Sequence, residues 1–169
     1  MSNEIQTSDP PLDFIIEIDR SIEPIYPECI KRLGKIDRSH VGPTQYDLSE
    51  VSLWFHPKQI SGAFLCKHVH AYLLETYGIA QCLNLQDGLA IQAKGLEVFR
   101  HLFKGKEIFL WGSVLESRNG FPFVPYLYER QNAMNGVCEV VLGWNGLGDI
   151  CGQNRPALRF SNSTIDYVI

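Results

Sequence analysis

The sequence contains no hydrophobic run that approaches the roughly 20 apolar residues needed to span a membrane. It also has no cluster of basic residues, since 15 lysines and arginines stand against 19 aspartates and glutamates and the net charge is −4. A general nucleic-acid-binding surface is therefore not indicated. The first residues show no basic start followed by an apolar stretch, so they do not resemble a secretory signal. We expect a cytoplasmic protein that binds neither membranes nor nucleic acids.

Cysteine is scarce as well, with five residues that are widely spaced and form no Cys-x-x-Cys pair. They are Cys29, Cys66, Cys82, Cys138 and Cys151. Disulfide-rich domains and zinc knuckles have paired or closely spaced cysteines, so this pattern predicts reduced thiols. The chain also lacks a Glu-x-x-His spacing, a Walker motif and a Gly-x-Ser-x-Gly elbow. We expect no bound cofactor and no metal site.

The length of 169 residues and the 45% hydrophobic content are enough for one ordinary core. No internal repeat or low-complexity tract is present. Residues 1–11 are polar and end in Pro10-Pro11, which predicts a flexible leader. A single domain is expected to follow over residues 12–169.

The strongest pattern lies in residues 107–145, where three stretches are rich in Val, Leu, Phe, Tyr and Trp and predict consecutive strands in a meander. The stretches are residues 107–117, 121–130 and 137–144. Asn119-Gly120 separates the first two and accepts the positive φ angles of a hairpin turn. The second connection, residues 131–136, fits a six-residue loop or a two-residue turn. Both alternatives differ by an even number of residues, so the assignment of side chains to faces is the same.

One face of this meander is nearly all apolar and is assigned to the core. It carries Ile108, Leu110, Gly112, Val114, Phe121, Phe123, Pro125, Leu127, Cys138, Val140, Leu142 and Trp144. The opposite face is aromatic but mixed. It carries Phe109, Trp111, Ser113, Leu115, Pro122, Val124, Tyr126, Tyr128, Arg130, Val137, Glu139, Val141 and Gly143. In this register Trp111 lies opposite Tyr128 as a cross-strand pair that contributes about 0.2–1 kcal/mol.

The rest of the chain predicts outer strands and two long helices. Strands are predicted over residues 12–20, 48–56 and 155–161, a short helix over 28–33, a loop over 35–47, and long helices over 61–77 and 85–104. Asn84 and Asp87 have the spacing of a capping box at the start of the last helix. The order shows no regular βαβ alternation. It therefore predicts an α+β fold whose mainly antiparallel sheet is built on the C-terminal three-stranded meander and packed by the two long helices.

Particular side chains of these helices are expected to face the sheet. The buried stripe of the helix over residues 61–77 is predicted to include Leu65, Val69, Tyr72, Leu73 and Thr76. Gly88 and Gly95 lie inside the stripe of the longer helix, where each costs about 1 kcal/mol relative to Ala. Close approach to the meander at Phe123 and Trp144 would compensate for this cost. Gly95→Leu is therefore expected to destabilise the protein by overpacking.

The mixed aromatic face is the leading candidate for function, because Trp, Tyr and Arg bury a large area and keep a polar group at binding surfaces. We expect a non-enzymatic protein or peptide-binding module that uses Trp111, Tyr126, Tyr128 and Arg130. The alternative for this face is burial under residues 12–20 or under the C-terminal tail.

A small hydrolase or transferase is the second hypothesis, with His56, Cys66 and His70 as weak catalytic candidates. Cys66 and His70 lie about 40° apart on a helix, whereas His68 points away. His56 ends a strand and shares a face with Trp54, a position that suits acid–base chemistry or binding. The sequence supplies no third member for a catalytic triad. A small-ligand carrier is a third hypothesis.

Overall fold

The computed structural model describes residues 11–62 and 64–161, with the backbone alone for residues 31–37. Its fold is α+β, which confirms the predicted class. The strands are β1 (Ile15–Glu17), β2 (Ile30–Asp37), β3 (Gln45–Asp47), β4 (Ser52–Trp54), β5 (Phe64–Leu65), β6 (Ile108–Phe109), β7 (Ser113–Ser117), β8 (Pro122–Gln131), β9 (Cys138–Gly146), β10 (Ile150–Cys151) and β11 (Ala157–Arg159). The helices are α1 (Pro57–Ser61), α2 (Cys66–Glu75), α3 (Leu85–Lys94) and α4 (Leu96–Phe103). None of these helices is long and apolar enough to cross a membrane.

The main sheet is mostly antiparallel, as predicted. Its strands lie in the order β2-β7-β8-β6-β11-β4, and β9 pairs with β8. β6 and β11 are parallel, and the other pairings described in this sheet are antiparallel. Two short pairs stand apart from it, β1 with β3 and β5 with β10. The second of these pairs positions the start of α2.

The first predicted strand of the meander, residues 107–117, is interrupted. β6 and β7 occupy its two ends, and residues 110–112 lie between them, where the Leu110 N–H still donates to the Pro125 carbonyl of β8 at 3.0 Å. The Gly112 N–H donates to the Leu83 carbonyl at 2.9 Å, and the Gly112 carbonyl accepts from the Arg38 N–H at 3.1 Å. The backbone at this break thus bonds to two loops, which is why a continuous strand does not form.

The break reverses the two faces of β7. Leu115 lies opposite Phe123, whereas Phe109 lies opposite Tyr126, so an odd number of residues separates the two registers. An odd shift moves each side chain to the other face of a sheet. The predicted faces of Val114 and Leu115 are therefore wrong. Leu115 packs with Phe123, and Val114 packs on the opposite side.

β8 and β9 keep the faces that the sequence predicts. Gln131 lies opposite Cys138, a register that differs by an even number of residues from both predicted alternatives. Leu127 and Val140 accordingly share one hydrophobic cluster, and Val124 belongs to the cluster on the other face.

Both faces of the main sheet are covered by helices. On one face, α3 and α4 contribute Ile91 and Phe99 to a cluster with Leu127. On the other face, α2 contributes Val69 and Leu73 to a second cluster. The mixed face, which the sequence left either accessible or covered by residues 12–20 or the C-terminal tail, is thus covered at this cluster by α2.

The N-terminal part differs most from prediction. The predicted helix over residues 28–33 is wrong, since β2 begins at Ile30 and pairs with β7. Its pairing with a strand that is far away in the chain, from Ile30 with Ser117 to Asp37 with Ser113, overrides the local helix signals, Pro27 and Gly34. The predicted strand over residues 12–20 survives as β1. Residues 1–10 of the predicted leader lie outside the described residues.

Neither long predicted helix is continuous. The segment 61–77 holds the end of α1, the β5 strand and α2, and its predicted buried residue Tyr72 is 38% exposed. The segment 85–104 is divided at Gly95, which lies between α3 and α4. Its φ of +88° is in the left-handed region, which favours glycine. A Cβ at Gly95 would meet nothing within 4 Å, so its predicted close packing is wrong. Gly88 makes the close approach instead, because a Cβ there would lie 2.2 Å from Leu110 Cδ1.

A disulfide joins Cys66 and Cys151, which corrects the prediction that all five thiols are reduced. The two cysteines are 85 residues apart in sequence, but their Cα atoms are 5.2 Å apart. Cys66 begins α2, and Cys151 ends β10, where it pairs with Phe64 of β5. Sequence spacing does not reveal this bond because the β5–β10 pairing brings the two residues together. Cys29, Cys82 and Cys138 are free thiols.

Candidate functional site

The predicted binding surface is divided by the fold. Trp111 is 1% exposed and packs among residues of α2 and the sheet, so its predicted place on a surface is wrong. It lies in the break between β6 and β7, and the predicted pair with Tyr128 does not form because the register on that side of β8 places Phe109 opposite Tyr126. A Trp111 variant would therefore change the core rather than a binding surface.

Tyr126, Tyr128 and Arg130 remain on the predicted face. Tyr126 stacks on Tyr128 with ring centroids 5.2 Å apart, and both residues are half-buried. Burial, followed by the nearby Glu107 carboxylate, raises the pKa of Tyr126. Arg130 is exposed, but its guanidinium donates to Glu139 at 2.8 Å. This pair leaves Arg130 with a carboxylate already beside it, which weakens its case as a binding cation.

The three weak catalytic candidates do not form one site. Cys66 is fully buried and bonded to Cys151, so it offers no thiolate in this structure. His70 stacks on Trp111 with ring centroids 6.0 Å apart, and burial lowers its pKa. Its Nε2 atom is buried and has no hydrogen-bond partner among the described residues. His56 belongs to a different cluster of rings.

His56 is held in one orientation by the start of α1. Its Nδ1 accepts a hydrogen bond from the Lys58 N–H at 3.2 Å, and Gln59 completes the capping box. Because Nδ1 is an acceptor, the proton of the neutral ring is on Nε2. Burial, followed by the Lys58 ammonium, lowers the pKa of His56, which favours that neutral ring. The described contacts of the imidazole are therefore the backbone N–H of Lys58 and the neighbouring aromatic rings.

His56 and the three rings that contact it form what we call the aromatic surface: Trp54, His56, Phe64 and Tyr72. Phe64 stacks on His56 at 4.5 Å and 15°, and Tyr72 meets His56 edge-on at 4.7 Å. Tyr72 also stacks on Trp54 at 6.0 Å and 17°. The side chains come from β4, the start of α1, β5 and α2, so each ring is fixed on a separate element. His56 is buried beneath the others, whereas Tyr72 is exposed and the remaining two are half-buried.

Two cations lie beside rings of the aromatic surface. The Lys58 ammonium lies 6.0 Å from the Phe64 ring centroid, and the Arg159 guanidinium lies 5.4 Å from the Trp54 ring centroid. Both distances are within the range of cation–π attraction. Neither cation forms an ion pair with a carboxylate of the described residues. This region therefore combines exposed aromatic area with positive charge in a protein whose net charge is −4.

Sequence reasoning found half of this surface. The alternation of residues 48–56 places Trp54 and His56 on one side of a strand, and that relation holds. The sequence did not indicate Phe64 and Tyr72 as members of this surface. The predicted single helix over residues 61–77 placed Tyr72 in the core and left no strand at the position of β5. Only the pairing of β5 with β10 and the resulting shift of the helix start show that these rings meet His56.

No group of three or more His, Cys, Asp or Glu side chains in residues 11–62 and 64–161 is arranged to hold a metal ion. Comparison with protein-family models, with curated proteins and with solved structures found no match.

Proposed function

We propose that the protein is a binding module that holds a protein or peptide partner on the aromatic surface. The observation that carries this proposal is that Tyr72 and Trp54 stack at 6.0 Å while Tyr72 remains 38% exposed. Rings that already support one another lose little conformational entropy when a partner covers them. Tyr and Trp are also the residue types in which interface energy concentrates.

The proposal keeps the predicted class of function and moves its location. The predicted surface is weakened by the burial of Trp111 and by the pairing of Arg130 with Glu139. The aromatic surface has neither defect, because Tyr72 is exposed and Arg159 has no carboxylate partner among the described residues. The hydrolase or transferase hypothesis loses its cysteine nucleophile, because Cys66 is in a disulfide.

The Cys66–Cys151 disulfide indicates the kind of compartment in which the protein would bind its partner. Disulfides persist in oxidising compartments and are rare in the reducing cytosol. The predicted cytoplasmic location rested on the lack of a membrane-spanning run and of a secretory start in the sequence, and the disulfide is a separate observation. We therefore propose that binding takes place in an oxidising compartment, and the number of free thiols in protein isolated from its native source tests this proposal.

Peptide display tests the function without a known partner. Peptides are selected from a random library on the wild-type protein, synthesised with a fluorescent label, and titrated by fluorescence anisotropy. Tyr72→Ala is expected to lower the affinity for the selected peptides about 30-fold, which corresponds to about 2 kcal/mol of binding free energy for an aromatic hot spot. Phe121→Ala is the matched control, because Phe121 is an aromatic side chain that is 65% exposed on the hairpin after β7.

The contrary result is equally clear. If the selected peptides bind Tyr72→Ala as tightly as wild type, they use another surface and the proposal is wrong. Loss of binding in Phe121→Ala but not in Tyr72→Ala would place the interface at the hairpin. Thermal unfolding of each variant shows whether it is folded at the temperature of the titration.

A further inference from the structure

The guanidinium of Arg159 is held at the edge of the aromatic surface. Arg159 lies in β11 opposite Ser52 of β4, so its side chain is on the same side of the sheet as Trp54. A Cβ built on Gly78 would lie 3.6 Å from the Arg159 Nη2 atom. The guanidinium therefore lies between the Trp54 ring and the turn that follows α2.

Arg159 differs from two other half-buried arginines in its partners. Arg20 contacts the Asp87 carboxylate and Arg155 contacts the Glu107 carboxylate, each at 2.6 Å. Arg159 has no such pair among the described residues. A guanidinium stays charged and presents donors in a planar fork, so its ring contact leaves the in-plane N–H groups able to bind a carboxylate.

A shallow cleft of about 260 Å³ adjoins this guanidinium. Its lining includes Ser52, Leu53, Trp54 and Arg159. Leu53 is next to Trp54 in β4 and lies opposite Leu158, so its side chain is on the other side of the sheet from the Arg159 guanidinium. The guanidinium therefore has the Trp54 ring and the polar Ser52 beside it in this cleft, a setting that suits a carboxylate.

The charge around the aromatic surface points the same way. Residues 52–75, which supply the rings, contain Lys58 and Lys67 but only one acidic residue, Glu75. Arg159 adds a further positive charge at the surface. Lys58 and Arg159 are the cations that the structure places against the rings, in a chain whose net charge is −4. An acidic partner would be attracted to these two cations, which favours its approach at this surface.

We propose that the partner contributes an acidic peptide segment, in which an Asp or Glu carboxylate binds the Arg159 guanidinium and an adjacent apolar side chain covers Trp54 and Tyr72. This inference rests on the proposed function and names the chemistry of its ligand. The carboxylate accepts paired hydrogen bonds from the guanidinium fork. Specificity follows, because a neutral amide in its place cannot match that charge.

The same display library tests the inference when it is selected in parallel on wild type and on Arg159→Gln. Wild type is expected to enrich peptides that contain Asp or Glu beside an apolar residue, and Arg159→Gln is expected to lose that enrichment. Each enriched acidic peptide is then compared with its Gln or Asn counterpart by fluorescence anisotropy. Wild type should prefer the acidic form by about 10- to 100-fold, the scale of a hydrogen bond to a charged group.

Two control variants separate the possible outcomes. Arg118→Gln, an exposed arginine on the hairpin after β7, should keep the preference for the acidic form. Tyr72→Ala should lower the affinity for both the acidic and the amide form of a peptide and leave the ratio of the two affinities unchanged. If peptides bind at Tyr72 but the ratio is near one or is unchanged in Arg159→Gln, the carboxylate inference is wrong and the proposed function stands. If Tyr72→Ala has no effect on any peptide, the proposed function itself fails.

A nucleic acid is the main competing anionic ligand, because bases stack on aromatic rings and phosphates bind arginine. Labelled single-stranded oligothymidylate is titrated in the same assay. Binding that Arg159→Gln abolishes, together with no preference for acidic peptides, would overturn the inference in favour of nucleic acid.

Discussion

Loss of the Cys66–Cys151 disulfide should remove a large part of the stability of this protein. The bond closes a loop with a sequence separation of 85 residues. In the chain-entropy model a loop of this length stabilises the folded state by about 4–5 kcal/mol, because the cross-link restricts the unfolded chain. The free energy of unfolding of a native protein is about 5–15 kcal/mol in total. The variant Cys66→Ala/Cys151→Ala should therefore be markedly less stable than wild type.

Urea unfolding of the oxidised protein, of the double alanine variant and of dithiothreitol-treated wild type measures this difference. Cys138→Ser is the matched control, because Cys138 is a free thiol and its loss leaves the disulfide intact. Alkylation under denaturing, non-reducing conditions followed by mass spectrometry should count three free thiols, which are Cys29, Cys82 and Cys138.

The expected signature is a lower unfolding midpoint in the double variant and in reduced wild type, with the control close to oxidised wild type. Equal free energies of unfolding for oxidised and reduced protein would refute the loop argument. A count of five free thiols in protein from an oxidising compartment would refute the bond itself. Because Phe64 pairs with Cys151, reduction of the disulfide should also weaken the binding of peptides to the aromatic surface.

Further predictions concern the buried positions. Gly88→Ala should destabilise the protein by about 1–3 kcal/mol, as measured by urea unfolding, because its Cβ would lie 2.2 Å from Leu110 Cδ1; unchanged stability would contradict this contact. Asp87→Ala should cost about 3–5 kcal/mol by the same assay, because it leaves the buried Arg20 guanidinium without its 2.6 Å carboxylate. Burial lowers the pKa of His70 in the folded protein, so the unfolded chain binds a proton more readily as the pH falls through about 6.5, and stability should decrease there. His70→Phe should reduce that pH dependence in thermal unfolding, and an identical profile would show that His70 does not cause it.

Local patterns in the sequence predicted several elements correctly. The alternation in β8 and β9 assigned their faces, because side chains change sides at every residue whatever the exact register. Asn84 and Asp87 form the predicted capping box, with the Asn84 side chain accepting from the Asp87 N–H and the Asp87 side chain accepting from the Asn84 N–H. Such features depend on residues a few positions apart, and sequence patterns report those distances directly.

The candidate site was predicted only in part for the opposite reason. Trp54 and His56 lie two residues apart in one segment, so their shared side was visible. Tyr72 and Arg159 join them through the packing of α2 and through the pairing of β11 with β4. A period of hydrophobic residues shows that a face is apolar, but it does not show which other segment covers it.

The sequence by itself determined the α+β class, the mainly antiparallel sheet and the faces of β8 and β9, since these follow from local periodicity and turn residues. The tertiary structure alone decided that Trp111 is buried, that residues 28–33 lead into a strand, and that Cys66 meets Cys151. Each of these outcomes depends on a contact between segments far apart in the chain. The free energy of such a contact comes from area buried and bonds formed between the two segments, and neither segment carries that information alone.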